Sequence, residues 1–382
     1  MSNLPLNDLF PEGGRILLTG SGQEFIHRIG VEAAKQVILN VLMGENIRRQ
    51  TEPLTRRRIA QISGAMVALF ARGTKQIDNF TSQLSEMAVQ QIRSSRKSDK
   101  ASIWVAQWLV GLTGKSVQNV LRSNPEEIEA YIADFEQAIR DAAAQCRKDS
   151  GELKMALGFA EDKRGQWVEL DWNDITRLTT AIGSLTLTIR GSDKSTYGKL
   201  FERLVLGSVL AILGFQHVDR RTNTKTEKVF WLADSSDTRE CDATLLFKPG
   251  KLVRFDIGFI GPGNSEISKD KLTRYAREIE LGGQAYTSHT FIVVDRLPDT
   301  SKTRQTADKI GAEIVQMSMQ YWPRDLAQRL EGRIGYKHRL TRMPDFKIGE
   351  YLRERLAAIS IENFLTGFKP EQLGDASTSD EE

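Results

Sequence analysis

From about Gly30 to Ala144 apolar residues recur at intervals of three and four, as in Ile59, Ile62, Ala65, Met66 and Leu69. That is the period of amphipathic helices packed on a common core. This half is expected to be a helical bundle, broken where turn residues cluster, at Gly44 to Pro53, Arg93 to Lys100, Gly111 to Gly114 and Ser123 to Pro125. Between Ser150 and Ser195 the period loosens. A strand is expected at Trp167 to Leu170, and the apolar run Leu185 to Ile189 runs into Gly191-Ser192-Asp193, where a boundary is expected.

Beyond that point the pattern changes. A helix over about Tyr197 to Leu213 leads into three short runs rich in β-branched and aromatic residues, Lys228 to Leu232, Cys241 to Phe247 and Leu252 to Ile260, which are expected strands. A helix at about Ile267 to Leu281 follows, then an apolar run at Thr290 to Val294, a short helix near Thr303 to Ile310, a run at Ala312 to Met317 and a last helix opening near Pro323. The order predicts an α+β or α/β chain, a helical N-terminal half followed by a mixed sheet flanked by helices. The expected regions are 1–190, mainly helical; 191–345, the sheet core; 346–374, a C-terminal helical segment; and 375–382, a disordered acidic tail.

Composition adds boundaries to this picture. With 382 residues, 40% apolar, 27% charged and 8% aromatic, the chain is long enough for two domains that each bury a core. Cys146 and Cys241 lie in different halves without the paired spacing of a zinc or redox site, which fits a reducing cytosol. The N-terminus lacks the basic and apolar regions of a secretion signal, and no run approaches the roughly 20 apolar residues of a membrane span, so a cytoplasmic protein with no membrane partner is expected. The net charge of +3 permits nucleic-acid binding without arguing for it. Its distribution says more: Arg48, Arg49, Arg56, Arg57 and Arg58 crowd one stretch, Arg93, Arg96, Lys97 and Lys100 a second, and Arg333, Lys337, His338, Arg339 and Arg342 a third. Each cluster fits a solvated face as well as a phosphate-binding one.

Two glycine patterns are set aside. Gly114-Lys115-Ser116 resembles the end of a phosphate-binding loop, but the first glycine of that motif would fall at Leu109. Leu17-Leu18-Thr19-Gly20-Ser21-Gly22 resembles the opening of a dinucleotide fingerprint, yet Phe25 stands where its third glycine belongs, and a loop is expected there. The four histidines, His27, His217, His289 and His338, have no metal-ligand spacing.

The candidate chemistry lies between the two central strands. They are joined by Lys248-Pro249-Gly250-Lys251, whose Pro-Gly pair is a strong turn signal. A hairpin centred on Pro249 sets Asp242 directly opposite Asp256, since both are seven residues away, and cross-strand neighbours share a face about 5 Å apart. Two carboxylates side by side in an otherwise apolar sheet repel unless a cation sits between them, and oxygen-only ligands suit magnesium. Either aspartate alone fits a solvent-facing strand end. What lifts the pair is the order around it: Glu202 on the preceding helix, Asp242 opening one strand, and Asp256 deep in the next, in Arg254-Phe255-Asp256-Ile257-Gly258-Phe259.

This order resembles the PD-(D/E)xK nuclease superfamily. The segments Arg239-Glu240-Cys241-Asp242-Ala243-Thr244, Phe255-Asp256-Ile257-Gly258-Phe259-Ile260 and Asp270-Lys271-Leu272 resemble, more narrowly, the CfrBI-like restriction enzymes, mainly over residues 196–295. The resemblance implies that Asp242, Asp256 and the backbone carbonyl of Ile257 hold Mg2+, with Glu202 binding a second ion or a metal water; Glu240, two residues before Asp242 and on the same face of its strand, is the alternative to Glu202. It also implies a lysine two positions after the second acid, where this chain has Gly258. Some members bring that lysine from the next helix, so Lys271, with Lys269 second, is expected to orient or deprotonate the attacking water.

The implied activity is that of a type II restriction endonuclease, cutting both strands of double-stranded DNA at a short palindrome of the CCWWGG type. A palindromic target favours a homodimer, and a cognate methyltransferase is expected in the same host rather than as a bound partner. Arg56, Arg57, Arg58, Lys97, Lys269, Lys337 and Arg339 are candidate phosphate contacts. The segment from Trp108 to Arg122 has the form of a helix-turn-helix, which would bring Lys115, Gln118 and Asn119 to base edges, although ordinary helical hairpins look the same. The 1–190 region would then serve recognition. Gly258 keeps two alternatives open: a structure-specific or repair nuclease of the same fold, and a catalytically silent DNA-binding protein.

Overall fold

The computed structural model describes residues 6–96, 99–114, 125–158, 167–222, 224–233, 241–259, 288–295 and 312–369. The expected helices at 267–281 and 303–310, the segment 115–122, and the tail lie outside them. In chain order the elements are α1 (Leu6–Leu9), α2 (Glu12–Thr19), α3 (Gly22–Ile29), α4 (Val31–Leu42), α5 (Ile47–Gln76), α6 (Phe80–Ser94), α7 (Lys100–Leu109) and α8 (Pro125–Ser150). A hairpin of β1 (Met155–Leu157) and β2 (Val168–Leu170) precedes α9 (Trp172–Ile212). Then come β3 (Gln216–His217), β4 (Val229–Leu232), β5 (Ala243–Lys248), β6 (Lys251–Gly258), β7 (Ser288–Val294), β8 (Glu313–Gln316), α10 (Trp322–Ile334) and α11 (Asp345–Ala357). The fold is mixed α and β, mostly helical, with one central sheet, as the periodicity predicts.

Two compact units result, Met1–Gly20 with Thr55–Asp193, and Ser21–Leu54 with Lys194–Glu382. In the first, Phe70, Phe80 and Trp108 are fully buried, and the Phe70 and Phe80 rings meet edge to face at 6.1 Å. The Phe80 ring packs on α5 where a side chain at Gly73 would stand, so a larger residue there would have to displace the ring. The indole of Trp108 donates to the Thr188 hydroxyl at 2.9 Å. The expected loop at Leu17 to Gly22 is instead the end of α2 and the start of α3, where Ser21 and Glu24 form a reciprocal capping box.

Through Gly191-Ser192-Asp193, where the boundary is expected, α9 runs unbroken for 41 residues, and the division between the two compact units falls inside it, after Asp193. Leu178, Ala181, Leu185, Ile189, Asp193 and Tyr197 are all buried and spaced by three or four, so the apolar run at Leu185 belongs to a helical stripe. The local turn signal loses to that stripe.

In the second unit the strand order is β3-β4-β5-β6-β7-β8, with β4, β5 and β6 antiparallel and β6, β7 and β8 parallel. One face of the central strands carries Ala243, Leu245, Val253, Phe255, Ile257, Phe291 and Val293, all without solvent exposure, and Phe255 packs on Phe291 at 5.4 Å between ring centres. The last turns of α9 are buried on all sides from Leu204 to Leu206 and Val209 to Leu210. Among the described residues no helix is long and apolar enough to cross a membrane.

Candidate active site

The site is made by the hairpin of β5 and β6. Its turn is Pro249-Gly250, between the pair Lys248 and Lys251, with Gly250 at a φ of +79° that glycine adopts without strain. A regular ladder from that turn would pair residues summing to 499 and would set Asp242 against Ile257. The ladder is not regular: between Leu246 and Lys248 the register shifts by one, and from Leu246↔Leu252 onward every pair sums to 498. Phe247 is the additional residue, a bulge held by its carbonyl accepting from the Lys228 N–H at 3.0 Å and by its ring against Tyr336 at 5.3 Å. The expected turn centre at Pro249 is therefore displaced, and the bulge restores the expected pairing.

One step beyond Ala243↔Phe255, that register puts Asp242 opposite Asp256. Two hydrogen bonds define how they meet. The Asp242 carbonyl accepts from the Ala233 N–H at 3.1 Å, so the main chain of Asp242 faces β4. The Ile257 N–H donates to Asp242 Oδ2 at 2.7 Å, so the odd-numbered residues of β6 face β5. Asp242 lies one residue before the start of β5, and its carboxylate takes the Ile257 N–H that a continued ladder would give to a backbone carbonyl. Asp242 and Asp256 are both half-buried. The neighbouring Cys241 thiol donates to the Ala243 carbonyl at 3.2 Å, and burial pushes it up to about 11, with the charges of Asp256 and Asp242 in the same direction and Arg254 opposed.

Glu202 sits on α9 with its carboxylate 15% exposed and Lys199 3.7 Å away. The next residue ties this turn of the helix to the hairpin. The Arg203 guanidinium donates to the Phe364 carbonyl at 2.9 Å and to the Ala233 carbonyl, and Ala233 in turn holds the main chain of Asp242. Sequence reasoning missed Arg203, because both its acceptors are backbone atoms distant along the chain. Gly258, buried, ends β6 beside Val294. Lys269, Lys271 and Glu240 lie outside the described residues. Among the described residues no three His, Cys, Asp or Glu side chains gather into a metal-holding group.

The expected DNA contacts separate. Arg56 and Arg57 are exposed on α5, as are Lys337 and Arg339 beyond α10, the latter stacked over Tyr351 at 4.2 Å. Arg58 is 2% exposed and must be corrected: its guanidinium pairs with Asp193 and donates to the Leu17 carbonyl at 3.0 and 2.7 Å. A side chain committed in this way carries no charge to the surface. Lys97, Lys115, Gln118 and Asn119 lie outside the described residues.

A family model described as CfrBI restriction endonuclease matches residues 31–302, a span that contains both aspartates and most of the helical half. "Type II restriction enzyme CfrBI" of Citrobacter freundii is 32% identical over 370 residues, covering 95% of this chain and 99% of that protein. The similarity extends well beyond residues 196–295, where the sequence motifs lie. No solved structure matches the chain.

Proposed function

Since the chain belongs to the CfrBI restriction endonuclease family and is a type II site-specific deoxyribonuclease, we propose that Asp242 and Asp256 form its magnesium-binding centre and that Lys271 completes it. The observation that supports this reading is the Asp242 carboxylate at the open end of the hairpin, held by the N–H of the residue that follows Asp256. The donor set of the two aspartates fits a hard cation: carboxylate oxygens, with no sulfur or imidazole. The N–H of Ile257 points at Asp242, and in extended backbone the carbonyl of the same residue leaves the same edge, which supports Ile257 as a third oxygen donor.

In this reading Asp242, Asp256 and the Ile257 carbonyl hold the ion, and Glu202 holds a second ion or a water. Magnesium bound there supplies positive charge to the attacked phosphate and makes water more acidic. Lys271, with Lys269 as its substitute, replaces the cation absent at Gly258 and orients the attacking water. Arg203, the residue after Glu202, donates to the Ala233 carbonyl, and the Ala233 N–H donates to the Asp242 carbonyl, which supports this turn of α9 as part of the centre.

We assign the 1–190 region to recognition, with Lys115, Gln118 and Asn119 reading base edges and Arg56, Arg57, Lys97, Lys269, Lys337 and Arg339 neutralising phosphates. The target we propose is a short palindrome of the CCWWGG type, met by a homodimer and protected in the host by a methyltransferase acting separately. The test is plasmid DNA of known sequence incubated with the protein and Mg2+, beside the Asp256→Ala variant. Discrete, Mg2+-dependent fragments that end at one palindrome and vanish in the variant are expected. Equal cleavage by the variant, or cleavage indifferent to chelator, would overturn the centre.

A further inference from the structure

The face that carries the two aspartates continues down the hairpin. One row below them the pairing runs Trp231↔Thr244↔Arg254↔Thr290. Because residues two apart on a strand share a face, Arg254 lies on the side of Asp256, about 6.5 to 7 Å along the strand. Thr244 and Thr290, on either side of it, are 8% and 4% exposed, so Arg254 is not a rim residue of an open sheet. It is half-buried, in a row whose flanking groups are short and neutral. The opposite face at this level, by contrast, holds Leu245, Val253 and Phe291, fully buried and apolar.

We propose that Arg254 is a catalytic residue of this centre, holding the non-bridging oxygens of the scissile phosphate beside the acid pair. The inference rests on the assignment of Asp242 and Asp256 as the centre. Two positions on β6 share the face of Asp256 and flank it, 254 and 258. The second is glycine, so the strand carries its positive charge on the turn side of the acid. A guanidinium suits the task, since its five donors form a planar fork that meets two phosphate oxygens and serves a carboxylate at the same time. It stays protonated and cannot take a proton from water, so its role is to hold and neutralise the phosphate, separate from the water-orienting role given to Lys271.

The test uses the full-length protein and a plasmid that the wild type cuts. Arg254→Gln, Arg254→Lys and Asp256→Asn are compared in single-turnover cleavage at saturating Mg2+, in terbium(III) luminescence as a direct reading of ion binding, and in thermal melts. Expected for Arg254→Gln is a loss of about 10²- to 10³-fold in cleavage rate, the size seen when one donor to a developing oxyanion is removed. Its terbium affinity stays equal to or tighter than wild type, because a neighbouring positive charge is gone, and Arg254→Lys recovers part of the rate. Cleavage within threefold of wild type overturns the proposal. So does a rate loss matched by an equal loss of terbium binding, or failure of both Gln and Lys variants to fold, since either makes Arg254 a support for the carboxylates. If Asp256→Asn is inactive while Arg254→Gln is active, only this inference falls; if Asp256→Asn cleaves as wild type, the acid-pair centre falls first.

Discussion

The backbone N–H of Ile257 donates to Oδ2 of Asp242 at 2.7 Å, so the carboxylate has a structural partner as well as its proposed metal. The two roles separate by substitution. Asp242→Asn keeps an oxygen for the Ile257 N–H and loses the charge, whereas Asp242→Ala also leaves that donor without an acceptor, which costs about 1 to 3 kcal/mol when buried. Both are expected to lose cleavage by at least about 10³-fold, while thermal melts place Asn near wild type and Ala several degrees below. An Asn variant that cuts normally would remove Asp242 from the centre.

Arg203 reaches two backbone carbonyls with one planar fork, at Phe364 and at Ala233. Lysine keeps the charge and cannot satisfy both acceptors in that geometry. Arg203→Lys is therefore expected to slow cleavage by roughly tenfold and to raise the Mg2+ concentration for half-maximal rate, because Asp242 is less firmly placed. Unchanged magnesium dependence in a rate series would mean that the tie through Ala233 does not reach the site.

The three consecutive arginines of α5 should differ sharply. Arg58 is buried against Asp193 and the Leu17 carbonyl, so Arg58→Ala or Asp193→Ala leaves an unpaired buried charge and is expected to destabilise by about 3 to 5 kcal/mol. Arg56→Ala and Arg57→Ala should leave the melting temperature unchanged. If those two meet phosphates, each lowers DNA affinity and reduces the slope of log affinity against log salt by about 0.9. Denaturant unfolding and salt-titrated gel shifts separate the two behaviours.

The sequence makes the sheet legible because its signals are local. The β-branched runs and the Pro249-Gly250 turn give β4 to β8 to within about two residues at most ends. The hairpin itself is read from the Pro249-Gly250 turn, yet its register is set by the Phe247 bulge, which depends on Tyr336 and Lys228 and leaves no local mark. The continuity of α9 is hidden for the same reason. Gly191-Ser192-Asp193 has the composition of a turn, and only the pairing of Asp193 with Arg58, 135 residues away, makes it part of a buried helical stripe. That pairing also decides which of three adjacent arginines turns inward, something no spacing rule distinguishes.

Acid should loosen the sheet unit. His217 lies between the rings of Phe230 and Phe364, each 5.2 Å away, and burial, reinforced by Arg203 and weakly opposed by Asp219, lowers it to about 4. His338, beside Tyr336 and Tyr351, is lowered to about 4 by burial and by Arg339 and Arg355. Both are neutral in the folded protein at pH values where the unfolded chain has already taken up a proton. Their contribution to stability is therefore complete above about pH 6.5, the ordinary histidine value, and is lost as pH falls from there toward 4. Melting temperatures are expected to drop across that window. His217→Phe, which keeps the ring between its two aromatic neighbours and removes the titration, should reduce the drop in part, since His338 and His289, the latter also lowered by burial, share it. An identical decline in wild type and variant would place the acid sensitivity elsewhere in the chain.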